Sequence, residues 1–386
     1  MSEIREARLK KANTLIGKGF TSYAESFKVS HTTQFLIQKF DYLENGQEED
    51  FSVSIAGRVM AKRVLGKIAF FTIGDQEGQI QLYLDKRIIN CNLENQELLS
   101  FEDIKELVDI GDWIGVFGTI KKTNKGELSI KVERWEMLSK SLQPLPDKWH
   151  GLTDIEKRYR QRYLDLIVNP HSKNVFKKRA KCISFIRKWL DNKNFLEIET
   201  PILQSEAGGA EARPFITHHN TLDIPLYLRI ATELHLKRMV VGGFEKVYEL
   251  GRIFRNEGIS TKHNPEFTSV EIYQAFSNYV DMMDLTEELI RDIVADVCGS
   301  LVINYQNNEI DFSKPWSRIS MKDIVKKYTG IDFDSFSGDF QLAKQAVESI
   351  NVEFSNKVNT IGRLLNEVFE QKVESKLIEP TFVIDY

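Results

Sequence analysis

Between residues 51 and 138 the chain alternates apolar and polar positions with a period of two. The segments FSVSIAGRVM, IAFFTIGD, GQIQLYL, DWIGVFGTI and ELSIKVERWEML carry the alternation, and Gly- and Asp-bearing turns separate them. A period of two puts every second side chain on one face, so each segment predicts a short strand. A stretch with helical character, ENQELLSFEDIKELV (94–108), stands between the third and the fourth. Before this zone, residues 1 to about 48 read as helix running into the polar turn ENGQEED (44–50). After it, QPLPDKWHG (143–151) is punctuated by proline and reads as a linker.

The remainder is mixed. Asn174 is placed to cap a helix whose apolar residues Phe176, Ala180, Ile183, Ile186 and Leu190 recur at helical spacing. FLEIETPIL (195–203) reads as a strand stopped by Pro201. EKVYELGRIFRNEG and HNPEFTSVEIYQAF predict two strands joined by a polar loop, and residues from about 302 to 376 predict amphipathic helix. The expected fold class is α+β and multidomain. A helical extension (1–50) precedes a five-stranded barrel of OB type (51–142), with any other small β-barrel as the alternative. A linker (143–173) then leads to a mixed domain (174–386) with a helical insertion at about 302–376.

Composition narrows the class. At 386 residues, 42% hydrophobic and 28% charged, the chain can bury a core and suits about two domains. No run of about 18 apolar residues exists to span a membrane. The charged start MSEIREARLKKAN is not a secretory signal. Cys91, Cys182 and Cys298 have no pairing or metal spacing, which fits a reducing cytoplasm. Net charge is −4, but residues 148–188 hold twelve Lys/Arg against three Asp/Glu. That run suits either a solvated helix face or a surface for phosphates.

Chemistry concentrates in FRNEGISTKHNPEFTSVEIYQAF (254–276), a hairpin whose strands end in Phe-Arg-x-Glu and begin Pro-Glu-Phe-Thr. An inward arginine is costly unless it meets an anion, and Arg255 can offer a bidentate fork to phosphate or carboxylate. Phe267 offers a face to a flat base. A surface hairpin with a salt bridge is the plainer alternative. The adjacent His218 and His219 would point to opposite faces of a strand and cannot share a metal, so a core or hydrogen-bonded role is expected.

This string resembles motif 2 of the class II aminoacyl-tRNA synthetases, and FLEIETPIL after the basic helix resembles their motif 1. STKHNPEFT with EIYQAF, GGAEARPFITHHN (208–220) and LRIATELHLKRMVVGGFEKVYELGR (228–252) look like the lysine-specific bacterial branch of that family. Aspartyl and asparaginyl relatives share the OB and class II domains. The resemblance implies ATP-dependent activation of L-lysine and its transfer to tRNA(Lys), with Mg2+ accompanying ATP. It makes Arg255 the catalytic arginine, on the α-phosphate and the amino-acid carboxylate. It places Glu257, His263, Asn264 and Phe267 on the nucleotide. Gly209, Glu233, Arg255, Glu271 and Tyr273 then form the lysine pocket. Carboxylates there suit an ammonium that brings three donors and a charge. In the barrel the resemblance puts Arg58, Phe70, Gln81 and Glu133 on the anticodon. As Phe70 and Phe71 are adjacent, one must face outward. A homodimer through the motif 1 helix and strand is implied, with no membrane partner.

The Gly-rich motif 3 of the family is not found, and EPTFVIDY (379–386) resembles a core strand that precedes the acidic metal ligands. The expectation is therefore a partial catalytic domain, inactive by itself, whose metal ligands lie downstream of Tyr386. The alternatives are a non-catalytic or regulatory tRNA-binding form, another synthetase of the same subclass, or a lysine-ligating paralogue, which normally lacks the OB domain.

Overall fold

Alternation in the first half of the chain closes a barrel. A computed structural model describes residues 3–91, 98–146, 152–355 and 358–386, which form two compact units, Met1–Lys173 and Asn174–Tyr386. In the first, helices α1 (Glu3–Gly17) and α2 (Thr33–Lys39) precede strands β1 (Glu48–Leu65), β2 (Ile68–Gly74) and β3 (Gln79–Asp85). Helices α3 (Lys86–Cys91) and α4 (Phe101–Leu107) follow, then β4 (Trp113–Lys122) and β5 (Leu128–Ser139). The strands close in the order β1-β2-β3-β5-β4, with β3 and β5 parallel. Val59, Phe71, Ile73, Leu82, Leu84, Ile114, Val116 and Ile130 fill the interior. Gly118 sits where β4 presses on β5: a Cβ there would come 2.0 Å from the Lys131 carbonyl oxygen. Ser100 and Asp103 form a capping box that starts α4.

The unit Met1–Lys173 goes on through α5 (Ile155–Arg160) and α6 (Arg162–Val168), and α7 spans Pro170–Asn192. The second unit carries β6 (Leu196–Glu197), β7 (Leu203–Gln204), β8 (Ile216–His219), β9 (Ile224–Leu228) and α8 (Glu233–Val241). Its main hairpin pairs β10 (Lys246–Phe254) with β11 (Glu266–Gln274), and β6 adds to β10 in parallel. Then come α9 (Tyr279–Cys298), β12 (Val302–Tyr305), β13 (Asn308–Asp311), β14 (Ser317–Ser320) and α10 (Met321–Thr329). The last elements are α11 (Phe340–Glu348), α12 (Ile361–Lys372) and β15 (Thr381–Ile384).

Several expectations need correction. The first 48 residues are not one helix, since the chain between α1 and α2 is irregular. Of the helical stretch 94–108, residues 94–97 lie outside the described residues, and the helix begins at Phe101. Residues 147–151 of the linker also lie outside them, and 152–173 is largely helical. Asn174 is no cap, because α7 begins at Pro170, whose fixed φ suits the first helical turn. FLEIETPIL splits into two short strands around Pro201. The span 302–376 opens with strands. Gln306 and Asn307, at φ 49° and 67°, make a two-residue turn of I′ sense between β12 and β13 without a glycine to announce it.

Candidate functional site

Arg255 closes the β10 end of the hairpin, and its amide donates to the Pro265 carbonyl at 2.9 Å. Its guanidinium is half-buried, 5.3 Å from the centre of the Phe267 ring, and Nε reaches the Ile230 carbonyl at 3.4 Å. A cation and a flat aromatic face thus stand side by side, as a nucleotide phosphate and base require. Glu257, His263 and Asn264 lie in the exposed loop joining the strands. There the Ser260 hydroxyl is 2.9 Å from His263 Nδ1 and accepts from the His263 amide at 3.1 Å.

A second group gathers at the start of α8. Glu271, on β11, accepts from the Thr232 amide at 3.0 Å and from the Tyr273 phenol at 3.1 Å. Burial pushes the Tyr273 phenol well above the ordinary tyrosine range, and the charges of Glu271 and Glu233 push it the same way. Both carboxylates therefore lie within electrostatic reach of one phenol. Glu233 opens α8 and accepts from Lys237 one turn on, at 2.7 Å. Gly209, at φ 88°, lies against this helix start: a Cβ would sit 3.0 Å from that of Glu233 and 3.1 Å from that of Ala231. An alanine would have both the wrong backbone region and no room. The structure thus brings Gly209, Glu233, Glu271 and Tyr273 together. Sequence reasoning passed over Thr232, whose buried hydroxyl has no hydrogen-bond partner. His218 faces Asp223 at 3.1 Å and His219 accepts from the Leu222 amide at 3.2 Å, so both are hydrogen-bonded at the surface rather than in the core.

On the barrel, Phe71 is buried and Phe70 faces outward. Phe70 lies opposite Tyr83, with ring centres 5.7 Å apart, and Thr72 lies opposite Gln81. The Gln81 carbonyl accepts from the Ser129 hydroxyl at 2.8 Å. Glu133 is exposed on β5, at the irregularity where Phe117 and Gly118 of β4 pair with Arg134 and Val132. Arg58 is tied to the Gly111 carbonyl at 2.7 Å and to the Trp113 ring at 5.2 Å. Burial lowers its pKa despite the pull of Asp112. Tyr83, with the Lys121 ammonium 5.0 Å from its ring, was not among the expected contacts. It was readable only once the β2–β3 register was known.

Among the described residues, no three His, Cys, Asp or Glu side chains group to hold a metal ion, and no helix is long and apolar enough to cross a membrane.

The profile of tRNA synthetases class II (D, K and N) matches residues 154–386, and that of the OB-fold nucleic acid binding domain matches 53–138. A closed five-stranded barrel ahead of an antiparallel synthetase domain is therefore the architecture of this subclass, and the chain is a class II aminoacyl-tRNA synthetase by fold. It is 93% identical over 386 residues to the lysine–tRNA ligase of Prochlorococcus marinus (strain MIT 9312), covering all of this chain and 75% of that protein. It is 60% identical over 386 residues to the lysine–tRNA ligase of Synechococcus sp. (strain CC9902), covering 76% of that protein. Within its class, the chain belongs to the lysine–tRNA ligase family.

Proposed function

We propose that the protein joins L-lysine to ATP and passes the lysyl group to tRNA(Lys). In the first step a lysine carboxylate oxygen attacks the α-phosphorus, the bond to the bridging oxygen breaks, and pyrophosphate leaves with that electron pair. Arg255 meets the negative charge that builds on the α-phosphate, where a fixed cation stabilises the transition state most, and it holds the lysine carboxylate. Phe267 stacks the adenine, Glu257 faces its amino group, and His263 and Asn264 reach the nucleotide. Mg2+ arrives with ATP as part of the substrate.

The observation that carries the choice of lysine is that Glu271, which accepts from the Tyr273 phenol, also accepts from the Thr232 amide at the start of α8, where Glu233 is the next residue. An ammonium needs acidic acceptors; Glu233 stands on α8 against Gly209, and Glu271 on β11, the strand paired with the one that leads into Arg255. Changing either to Gln keeps the shape and removes the charge. Lysine binding weakens by more than about 1.4 kcal/mol, about tenfold, as a charge-assisted bond predicts. Unchanged lysine affinity in both variants, or activation of aspartate in its place, sinks the assignment.

The anticodon is read on the outer barrel face by Phe70, which stacks a base, and by Gln81, with Arg58 and Glu133 flanking. Residues 1–50 extend a barrel domain at 51–142, a connecting segment spans 143–173, and the catalytic domain begins at 174. The protein acts in the cytoplasm as a homodimer joined through α7 and β6.

A further inference from the structure

Arg229 and Glu249 are charged residues only 3% and 5% exposed. Taking two charges out of water is costly unless every donor and acceptor is met. Here they are met. Arg229 Nε donates to the Arg252 carbonyl at 2.8 Å, and Nη1 donates to the Thr200 carbonyl at 3.1 Å, to its hydroxyl at 3.2 Å and to Glu249. The Thr200 hydroxyl donates in turn to Glu249 at 2.6 Å. The backbone at this point is pinned as well. The Arg229 amide donates to the Ile202 carbonyl at 2.9 Å, and its carbonyl accepts from the Phe254 amide at 3.0 Å.

The residues immediately C-terminal to Arg229 give this clamp its meaning. Ile230 offers its carbonyl to Arg255, Thr232 gives its amide to Glu271, and Glu233 opens α8. Glu249 also stands directly opposite Glu271 in the β10–β11 register. Cross-strand partners share a face, and like charges so placed repel.

We propose that Arg229 is a positioning residue of the amino-acid site, an inference that rests on the lysine pocket of Glu233 and Glu271. Its guanidinium fastens segment 229–233 to Thr200, Glu249 and Arg252. The Thr232 amide and the Glu233 carboxylate are thereby held at a fixed distance from Glu271. It also neutralises Glu249, so that Glu271 carries the charge left on this face for the incoming ammonium. A lysine at this position keeps the charge but loses the planar fork.

The test is lysine-dependent exchange of pyrophosphate into ATP by the full-length enzyme, with rates normalised to titrated active sites. Arg229→Lys raises the KM for lysine at least about tenfold while the KM for ATP stays within about twofold, since small misplacements near reacting groups are costly. Glu249→Gln, which keeps the size of the side chain, shifts the lysine KM in the same direction and serves if Arg229→Lys does not fold. A purely structural role would lower the fraction of active sites and leave both KM values alone, and that result overturns the proposal. Glu271→Gln separates the two levels. If it leaves the lysine KM unchanged, the pocket itself is misassigned; if it raises that KM while Arg229→Lys and Glu249→Gln do not, only the clamp is wrong.

Discussion

At the scale of the residue, the position of Arg255 decides what it can do. It is half-buried, its Nε makes one long bond to a carbonyl, and its plane stands near the Phe267 ring. Arg229 in the same unit is instead consumed by hydrogen bonds to Thr200, Glu249 and Arg252. Both are arginines beside strands, and composition cannot tell them apart. The difference lies in partners brought from residues 29 and 20 positions away. Replacing Arg255 with alanine lowers pyrophosphate exchange at least about a hundredfold, the range for removing one donor to a developing charge. A rate within a few fold of the parent would remove Arg255 from that role. The Phe-Arg-x-Glu string marks Arg255 as a candidate, whereas nothing local in the sequence marks a buried clamp such as Arg229.

At the scale of the element, short helices take their stability from what their ends meet. The C-terminal end of α4 presents carbonyls that the Lys62 ammonium caps, at 2.5 Å to Lys105 and 2.7 Å to Val108. Burial pulls the Lys62 pKa down to about 8, although Asp109 pulls it back up. The unfolded chain holds the same amine near its ordinary value of about 10.4. Below pH 8 the group is charged in both states and the burial penalty is fully present. Between about 8 and 10.4 the unfolded state holds more protons, so stability rises with pH and is lost again as pH falls through 8. Denaturant unfolding of the parent and of Lys62→Met, compared at pH 7 and pH 9.5, shows the parent gaining about 1–2 kcal/mol relative to the variant once solvent screening is allowed for. A difference that does not change with pH sinks this account. Element-level reading of the sequence did well where periodicity was strong, as in β2 and β3. It failed where a turn lacked its usual residue, as at Gln306–Asn307, and where a helix start was set by Pro170 one turn before the apolar pattern began.

At the scale of the whole molecule, the hydrophobic period of two ends after residue 138, whereas the second compact unit begins at Asn174. That change was visible because strands and helices repeat differently. What could not be read was which alternating residues share a barrel face with which, since register depends on closure. Phe70 and Phe71 show the limit and its resolution. Alternation required one to face outward, and the structure turns Phe71 into the core at 0% exposure while Phe70 lies over Tyr83. The barrel has a core of its own, from Leu15 on α1 to Met137 on β5, and α1 is fastened to it by Lys11 on Asp109 at 2.6 Å and by Lys18 on Asp103. Residues 1–146 are therefore expected to fold as an independent piece and to bind RNA through the outer face. Phe70→Ala in that piece weakens binding to a U-rich lysine anticodon stem-loop by about 1–3 kcal/mol, the usual value of one base–aromatic stack, and leaves the unfolding midpoint within experimental scatter. Titration of the RNA by fluorescence anisotropy, alongside a denaturant curve, reads both quantities. Loss of the fold would return Phe70 to the core. Unchanged affinity in a folded variant would move the anticodon to another face of the barrel.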